Sequence, residues 1–294
     1  MYYIVYSVFY LFSLLPWRVI YCISDIISFL LYYVLRYRKA VVMANLLQAF
    51  PEKTEKERIR IAKDFYIGFV DNFIEAIKFI SISKKEINKR FIGDYTFLDD
   101  LAEKNPHIQV NLGHFFSWEF SNIAYSANVK CRLVVVYMPI ANKIFDKLFY
   151  DIRSRFGSKL ISATNFRNEF APYSKGQYAL ILTADQSPGS PDNTYWTNFL
   201  GKLTPFVKGP EKGAQLNRAA VAMGRVYKVK RGYYKSEFKL LTTDARSLSN
   251  GEITKQMVAF FEETIREHPA DYLWSHRRWK WSYDETKHKH LLID

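Results

Sequence analysis

His107-Ile108-Gln109-Val110-Asn111-Leu112-Gly113-His114-Phe115-Phe116-Ser117-Trp118-Glu119 is the stretch that decides the fold. Residues 107–112 alternate with the period of a β-strand, Gly113 permits a sharp turn, and Phe116–Ala127 reads as a helix. The unit is strand, turn, helix, with a histidine in the turn and a carboxylate just inside the helix. On one continuous helix, residues five apart point about 140° away from each other. His114 and Glu119 can therefore act together only if His114 sits ahead of the helix. An imidazole, with an unperturbed pKa of roughly 6.5, can take a proton from an alcohol near neutral pH. A neighbouring carboxylate can fix its tautomer and stabilise the imidazolium. Spacing alone is a weak signal for such a pair, because most are accidental.

The rest of the chain has the same grammar. Further strands are expected at Arg132–Tyr137, Lys159–Ile161, Tyr178–Ala184, Val221–Val229 and Glu237–Leu241. Helices are expected at Glu55–Ile80, Asn142–Phe156, Asn168–Ser174 and Gly209–Ala222. Strands alternating with helices predict an α/β fold, an αβα sandwich around a mixed, partly parallel sheet. In such folds the working site lies at the carboxyl ends of strands. Gly113-His114 and Ala184-Asp185-Gln186 both fall at expected strand ends, and that convergence says more than either fragment alone.

The N-terminus is unlike that of an ordinary soluble protein. Met1–Pro16 carries no charged side chain, and Val19–Leu35 is again apolar, broken only by Asp25. Each run is a little short of the roughly 20 residues that span a bilayer. Neither has the basic start and small-residue cleavage site of a signal peptide. Tyrosines and Trp17 suit a membrane interface, and Arg36, Arg38 and Lys39 follow at once, which places that end in the cytoplasm. The expected division is an N-terminal membrane anchor over 1–38 and one α/β domain over 39–294. A pair of helices buried in a soluble core is the plain alternative. No linker or internal repeat divides the remainder of the 294 residues.

A formal charge of +13 attracts nucleic acid, anionic lipid or an acidic protein. Nucleic acid fits poorly, since the cations are scattered and no binding motif is present. Cys22 and Cys131 lie far apart in apolar settings, so neither a disulfide nor a zinc site is indicated, and both are expected to be buried.

Five fragments, in order, carry a resemblance. They are Arg38 with Asn45-Leu46-Leu47-Gln48-Ala49-Phe50-Pro51; His114-x4-Glu119; Asn142 to Gly157 with Arg153-Ser154-Arg155-Phe156-Gly157; Ala184-Asp185-Gln186-Ser187-Pro188-Gly189; and Trp274-Ser275-His276-Arg277-Arg278-Trp279-Lys280. Together they resemble the late acyltransferases of lipid A biosynthesis (lauroyl- and myristoyl-transferring types), within the wider H-x4-D/E lysophospholipid acyltransferase superfamily. The segments Trp196–Gly201 and Thr204–Gly209 are looser versions of the family's pattern, which leaves substrate identity less defined than reaction type.

The resemblance implies fatty acyl transfer from acyl carrier protein to a hydroxyl of an anionic glycolipid, at the cytoplasmic face of a bacterial inner membrane. No metal and no cofactor is implied. His114 would be the general base and Glu119 the group that orients it. Arg153 would be the cation near developing negative charge, with Arg155 as backup. Asp185 and Gln186 would support the substrate from the next strand end. Each role has a plain alternative: Glu119 as a solvated carboxylate, Arg153 and Arg155 on a solvated helix face, Asp185 as a turn residue before Pro188-Gly189. The His276–Lys280 cluster reads as structural or membrane-facing. A glycerophospholipid or aminolipid acceptor, and a lipid-binding protein without activity, are the competing functions.

Overall fold

A computed structural model describes residues 1–293 of the chain. The N-terminal half runs α1 (Tyr2–Leu14), α2 (Trp17–Phe29), α3 (Lys39–Ala49), α4 (Glu55–Lys78), α5 (Lys84–Arg90), β1 (Phe91–Ile92), α6 (Tyr95–Lys104) and β2 (His107–Leu112). It continues with α7 (Trp118–Asn128), β3 (Leu133–Tyr137), α8 (Lys143–Ser154), β4 (Lys159–Ser162), α9 (Phe166–Phe170) and β5 (Tyr178–Thr183). A hairpin, β6 (Thr194–Phe199) and β7 (Lys202–Val207), leads to α10 (Gly209–Leu216), β8 (Ala220–Lys230), β9 (Tyr233–Thr242), α11 (Glu252–Glu267) and α12 (Glu285–His288).

Seven strands form one sheet in the order β1-β9-β8-β2-β5-β3-β4. Every neighbouring pair is parallel except β8 and β9, which form an antiparallel hairpin. The expected αβα sandwich around a mixed, partly parallel sheet is what the chain forms, and the sheet is mostly parallel. Strand alternation sorts the core. Ile108, Val110, Leu133 and Ala179 pack toward α6, α7 and α8. Val134, Leu180, Leu182, Val221 and Met223 pack toward α11, through Ile253, Met257, Phe261 and Ile265. Helix starts follow local chemistry. Thr54 and Glu57 close a capping box at α4, Ser117 caps α7, and Asn142 caps α8.

The structure departs from the sequence reading at four places, and the first two have local physical reasons. The β6–β7 hairpin lies in a segment read only as a family fragment; Pro205 interrupts its strand pattern, and its turn uses positive φ at Leu200 and Gly201. Helix α10 stops at Leu216 instead of running to Ala222, because Ala220 already pairs with Ile108 of β2. Helix α9 covers Phe166–Phe170, ahead of the expected 168–174. Cys22 is exposed on α2 and Cys131 only partly buried, correcting the expectation that both are interior.

The two N-terminal helices lie against the body of the fold. Helix α2 runs on through a π-helical turn, Leu30–Val34, and the continuous stretch Trp17–Val34 is long and apolar enough to cross a membrane by length and composition. Its inward stripe, Ile20, Ser24, Ser28 and Tyr32, has the i, i+4 spacing of one helix face and packs along α4.

Candidate active site

His114 sits just past the end of β2, in the turn before α7, as the strand–turn–helix reading requires. Asp185 sits just past the end of β5, the parallel neighbour of β2, where Leu112 pairs with Thr183. Adjacent strand ends therefore bring the two side chains together. The Asp185 carboxylate meets His114 twice: Oδ1 lies 2.7 Å from Nδ1, and Oδ2 accepts the His114 backbone N–H at 3.1 Å. Asp185 is 1 % exposed. Burial pushes its carboxyl up, but the adjacent His114 ring and N–H outweigh that and hold it below the ordinary carboxylate range. An ionised carboxylate only accepts hydrogen bonds, so the imidazole proton belongs on Nδ1 and Nε2 carries the free lone pair. Gln186 Nε2 stands 3.4 Å from that nitrogen.

Glu119 does not hold His114. Its carboxylate, buried in the first turn of α7, is engaged by one edge of the Arg153 guanidinium, Nε at 2.9 Å and Nη2 at 2.5 Å, and by the Trp118 indole N–H at 3.1 Å. The five-residue offset explains why: once Trp118 starts the helix, Glu119 turns toward α8, where Arg153 lies, while His114 stays outside the helix and faces β5. Burial disfavours the charged form of Arg153, but Glu119 more than offsets it and raises its pKa. Asn122 fixes the same residue by donating to the Arg153 carbonyl at 3.0 Å. Glu119 and Arg153 are thus neither solvated nor independent; they form one bidentate pair. Arg155 points elsewhere. Its Nη1 donates to the carbonyls of Phe79 and Ile82, each at 2.7 Å, and ties α8 to the end of α4.

A cavity of about 520 Å³ connects these groups. At its mouth are His114, Gln186, Trp118 and the Glu119–Arg153 pair. From there it runs between α7 and the sheet, along Leu112 and Val110, Val135 and Leu133, Ile181, and finally Leu98, Tyr125 and Phe238. Four residue steps along β3 lead from Tyr137, at the open end, to Leu133, so this channel extends roughly 13 Å along the sheet at about 3.3 Å per residue. Its inner wall is mostly apolar; the polar exceptions include Ser121, Arg225 and Ser236, whose hydroxyl meets the Tyr125 hydroxyl at 2.6 Å.

The site is held from outside by segments that the sequence shows only as fragments. Leu273 N–H donates to the His114 carbonyl at 3.1 Å, and Phe116 N–H to the Asp271 carbonyl at 2.8 Å. Asn45 donates to the carbonyls of Trp274 (2.8 Å) and His276 (2.7 Å), and Arg38 to that of Ser275 (3.1 Å). His276 Nε2 accepts the Ser187 N–H at 2.9 Å, and the Trp281 indole donates to the Pro188 carbonyl at 2.9 Å. Burial pushes His276 down to about 4, so it is neutral at pH 7 and free to accept. Within the C-terminal cluster Trp274 and Arg278 are structural: both are buried, and Arg278 stacks on Phe206 at 4.2 Å, whereas Arg277 and Lys280 are exposed. Asn45 was legible only as part of the Arg38 to Pro51 fragment; the partner of His276 was not.

The fold and the site define an α/β protein that sets a histidine–carboxylate dyad at the mouth of a long apolar channel. The chain belongs to the bacterial lipid A biosynthesis acyltransferase family, whose sequence profile matches residues 1–281. Membership makes it an acyltransferase of lipid A biosynthesis. Among curated proteins no match was found.

Proposed function

We propose that the protein moves a fatty acyl group from acyl carrier protein to a hydroxyl of an anionic lipid A precursor at the cytoplasmic face of a bacterial inner membrane. His114 is the general base. The observation that carries this reading is the free Nε2 of His114, backed by a buried carboxylate and facing a channel of acyl dimensions.

The donor chain lies in the channel under α7, with its thioester carbonyl at the mouth. As the acceptor oxygen attacks that carbonyl, Nε2 takes the hydroxyl proton and Asp185 offsets the imidazolium charge. Collapse of the tetrahedral intermediate breaks the carbon–sulfur bond, and the imidazolium returns the proton to the departing sulfur. The products are an ester and a free thiol. The long Gln186 contact leaves room for the acceptor hydroxyl to reach Nε2, and the Gln186 amide can then donate to substrate oxygen. Glu119 keeps Arg153 extended at the mouth, so that a cation faces the developing charge or the acceptor's phosphate. A net charge of +13 favours an acidic carrier as the donor.

The test is mass spectrometry of lipid A precursors after incubation with acyl carrier protein loaded with a fatty acid. Wild type should add one acyl chain. His114→Ala should add none, at unchanged melting temperature; turnover near the wild-type rate would end the mechanism.

A further inference from the structure

We propose that α1 and α2 seat the protein in a single leaflet of an anionic bilayer and do not cross it, so that Met1 and the α/β body lie on the same side of the membrane. This rests on packing alone and is independent of the reaction.

Helix α2, with its continuation to Val34, carries large apolar side chains on the outer face as well as on the inner one, where Ile20 packs on Val70 and Ile74. It buries Ser24 (0 % exposed) and Ser28 (4 %) against the protein and turns Ile26 (62 %), Phe29 (56 %) and Val34 (61 %) outward. Helix α1 does the same, with Ser13 buried and Ile4, Val8 and Leu11 outward. In water that arrangement exposes the apolar face; with hydrocarbon outside, both faces are satisfied.

The inward face, in which Ile20 and Tyr32 flank the two serines, is bound to the body along its whole length. Near the start, Lys78 donates to the carbonyls of Ser13 and Leu15, and the Arg90 guanidinium lies 4.0 Å over the Trp17 ring. One turn on, the Tyr21 hydroxyl donates to Glu75 at 2.8 Å. At the middle, Ser24 donates to Asp71 at 2.6 Å, and Asp25 pairs with Arg231 of the β8–β9 turn at 2.7 Å. At the far end, the Lys39 ammonium lies 3.9 Å over the Tyr32 ring. Gly232, in that β-turn at φ 74°, sits so close that a Cβ there would fall 2.1 Å from the Tyr21 hydroxyl.

Asp25 is halfway along Trp17–Val34. If this stretch crossed the bilayer, its midpoint would be at mid-membrane, and the strapped groups would go with it. Asp71, Glu75, Arg231 and the tip of the sheet would then occupy the hydrocarbon centre, where ionisable side chains are least tolerated. A helix lying in the plane avoids this. It sinks its outer half about 5–10 Å into the leaflet and keeps its inner half on the protein.

The chemistry of the outward face fits lipid. Exposed Arg18 stands at one end of α2 and exposed Arg36 and Arg38 at the other, placed for anionic headgroups, with Tyr3, Tyr33 and Tyr37 at interfacial positions. The face is continuous with the channel mouth, since Tyr37 stacks on Phe69 at 6.0 Å and both line the cavity.

Three readouts test the proposal on the full-length protein. Epitopes placed before Met1 and at the C-terminus should both be digested by protease in inside-out vesicles, and both be protected in spheroplasts. An N-terminal epitope cleaved in spheroplasts while the C-terminal one survives would overturn the proposal. In Cys131→Ser protein, a fluorophore on Cys22 should be quenched most by lipids carrying a shallow spin label; strongest quenching by a midplane label would also overturn it. Purified protein should float with phosphatidylcholine vesicles containing phosphatidylglycerol, and the double variant Ile26→Asp, Phe29→Asp should lose binding at least severalfold with its melting temperature kept. Wild type that stays off vesicles and elutes as a dimer would assign the face to a second copy instead.

Discussion

Replacing Asp185 with asparagine removes one charge and almost no volume, and it separates the two carboxylates that sequence spacing leaves ambiguous. Asp185 accepts two N–H groups from one residue, His114 Nδ1–H at 2.7 Å and His114 N–H at 3.1 Å. A carboxamide has a single acceptor oxygen. If that oxygen keeps the backbone N–H, the amide N–H faces Nδ1 and drives the imidazole proton to Nε2, capping the base. If it keeps Nδ1–H, two donors oppose each other in a buried site, at a cost of about 1–3 kcal/mol, and the imidazolium loses its counter-charge. Either arrangement should lower kcat by roughly 10²–10⁴-fold, or about 2.7–5.5 kcal/mol of transition-state stabilisation at 1.36 kcal/mol per decade. KM should change little, because no substrate contact is removed. Glu119→Gln should behave differently. It weakens the bidentate hold on Arg153 and should raise the acceptor KM more than it lowers kcat. The assay is initial-rate acylation of a lipid A precursor in detergent over a series of each substrate, with melting curves to verify folding. Asp185→Asn within about threefold of the wild-type kcat, alongside a Glu119→Gln that loses nearly all turnover, would refute the assignment and return the orienting role to Glu119.

Asn45→Ala should unlatch the C-terminal strap. It strands two buried carbonyls, so a loss of about 1–3 kcal/mol and a melting point several degrees lower are expected, together with lower activity; Asn45→Asp should not rescue either, because a carboxylate repels those carbonyls. Val135→Phe should block the channel partway and shift the preferred donor to shorter acyl chains in a competition assay read by mass spectrometry, and an unchanged product distribution would place the chain elsewhere. Burial, aided by Asp71, pushes Glu75 up from 4.5 to about 8. The folded state then holds a proton that the unfolded state releases, so this group's contribution is complete below about pH 4.5 and is lost as pH rises toward about 8. Glu75→Gln should therefore gain melting temperature relative to wild type across that window, whereas parallel curves would show that Glu75 ionises normally. The KM for acyl carrier protein should rise steeply with salt as the Debye length falls from ~10 Å at 0.1 M to ~3 Å at 1 M, and a flat response would favour a donor not recruited by charge.

The sheet was largely legible because its strands are short apolar runs with clear period. His107–Leu112 matches β2 residue for residue, and Tyr178–Ala184 overshoots β5 by one. Where a strand contains proline, as at Pro205, or only two residues, as at Phe91-Ile92, period carries no information. The candidate site was legible as a set of residues but not as a set of partners. A histidine and two carboxylates at strand and helix ends can pair in two ways. The choice depends on β5 lying beside β2 and α8 beside α7, which no local pattern encodes. Arg155 shows the same limit: two residues from Arg153, it points to the other side of α8 and serves the packing of α4.

The strap formed by Asp271–Trp281 joins the two ends of the chain at the site. All strands of the main sheet are complete by Thr242, yet the His114 carbonyl, the Ser187 amide and the Pro188 carbonyl find their partners only in residues 273–281. Asn45, for its part, waits for chain 229 and 231 positions downstream. In chain order, every strand of the main sheet precedes the residues that fasten the loops of the dyad. Until residues 273–281 are in place, the turn that carries His114 and the loop that follows Asp185 lack these backbone partners.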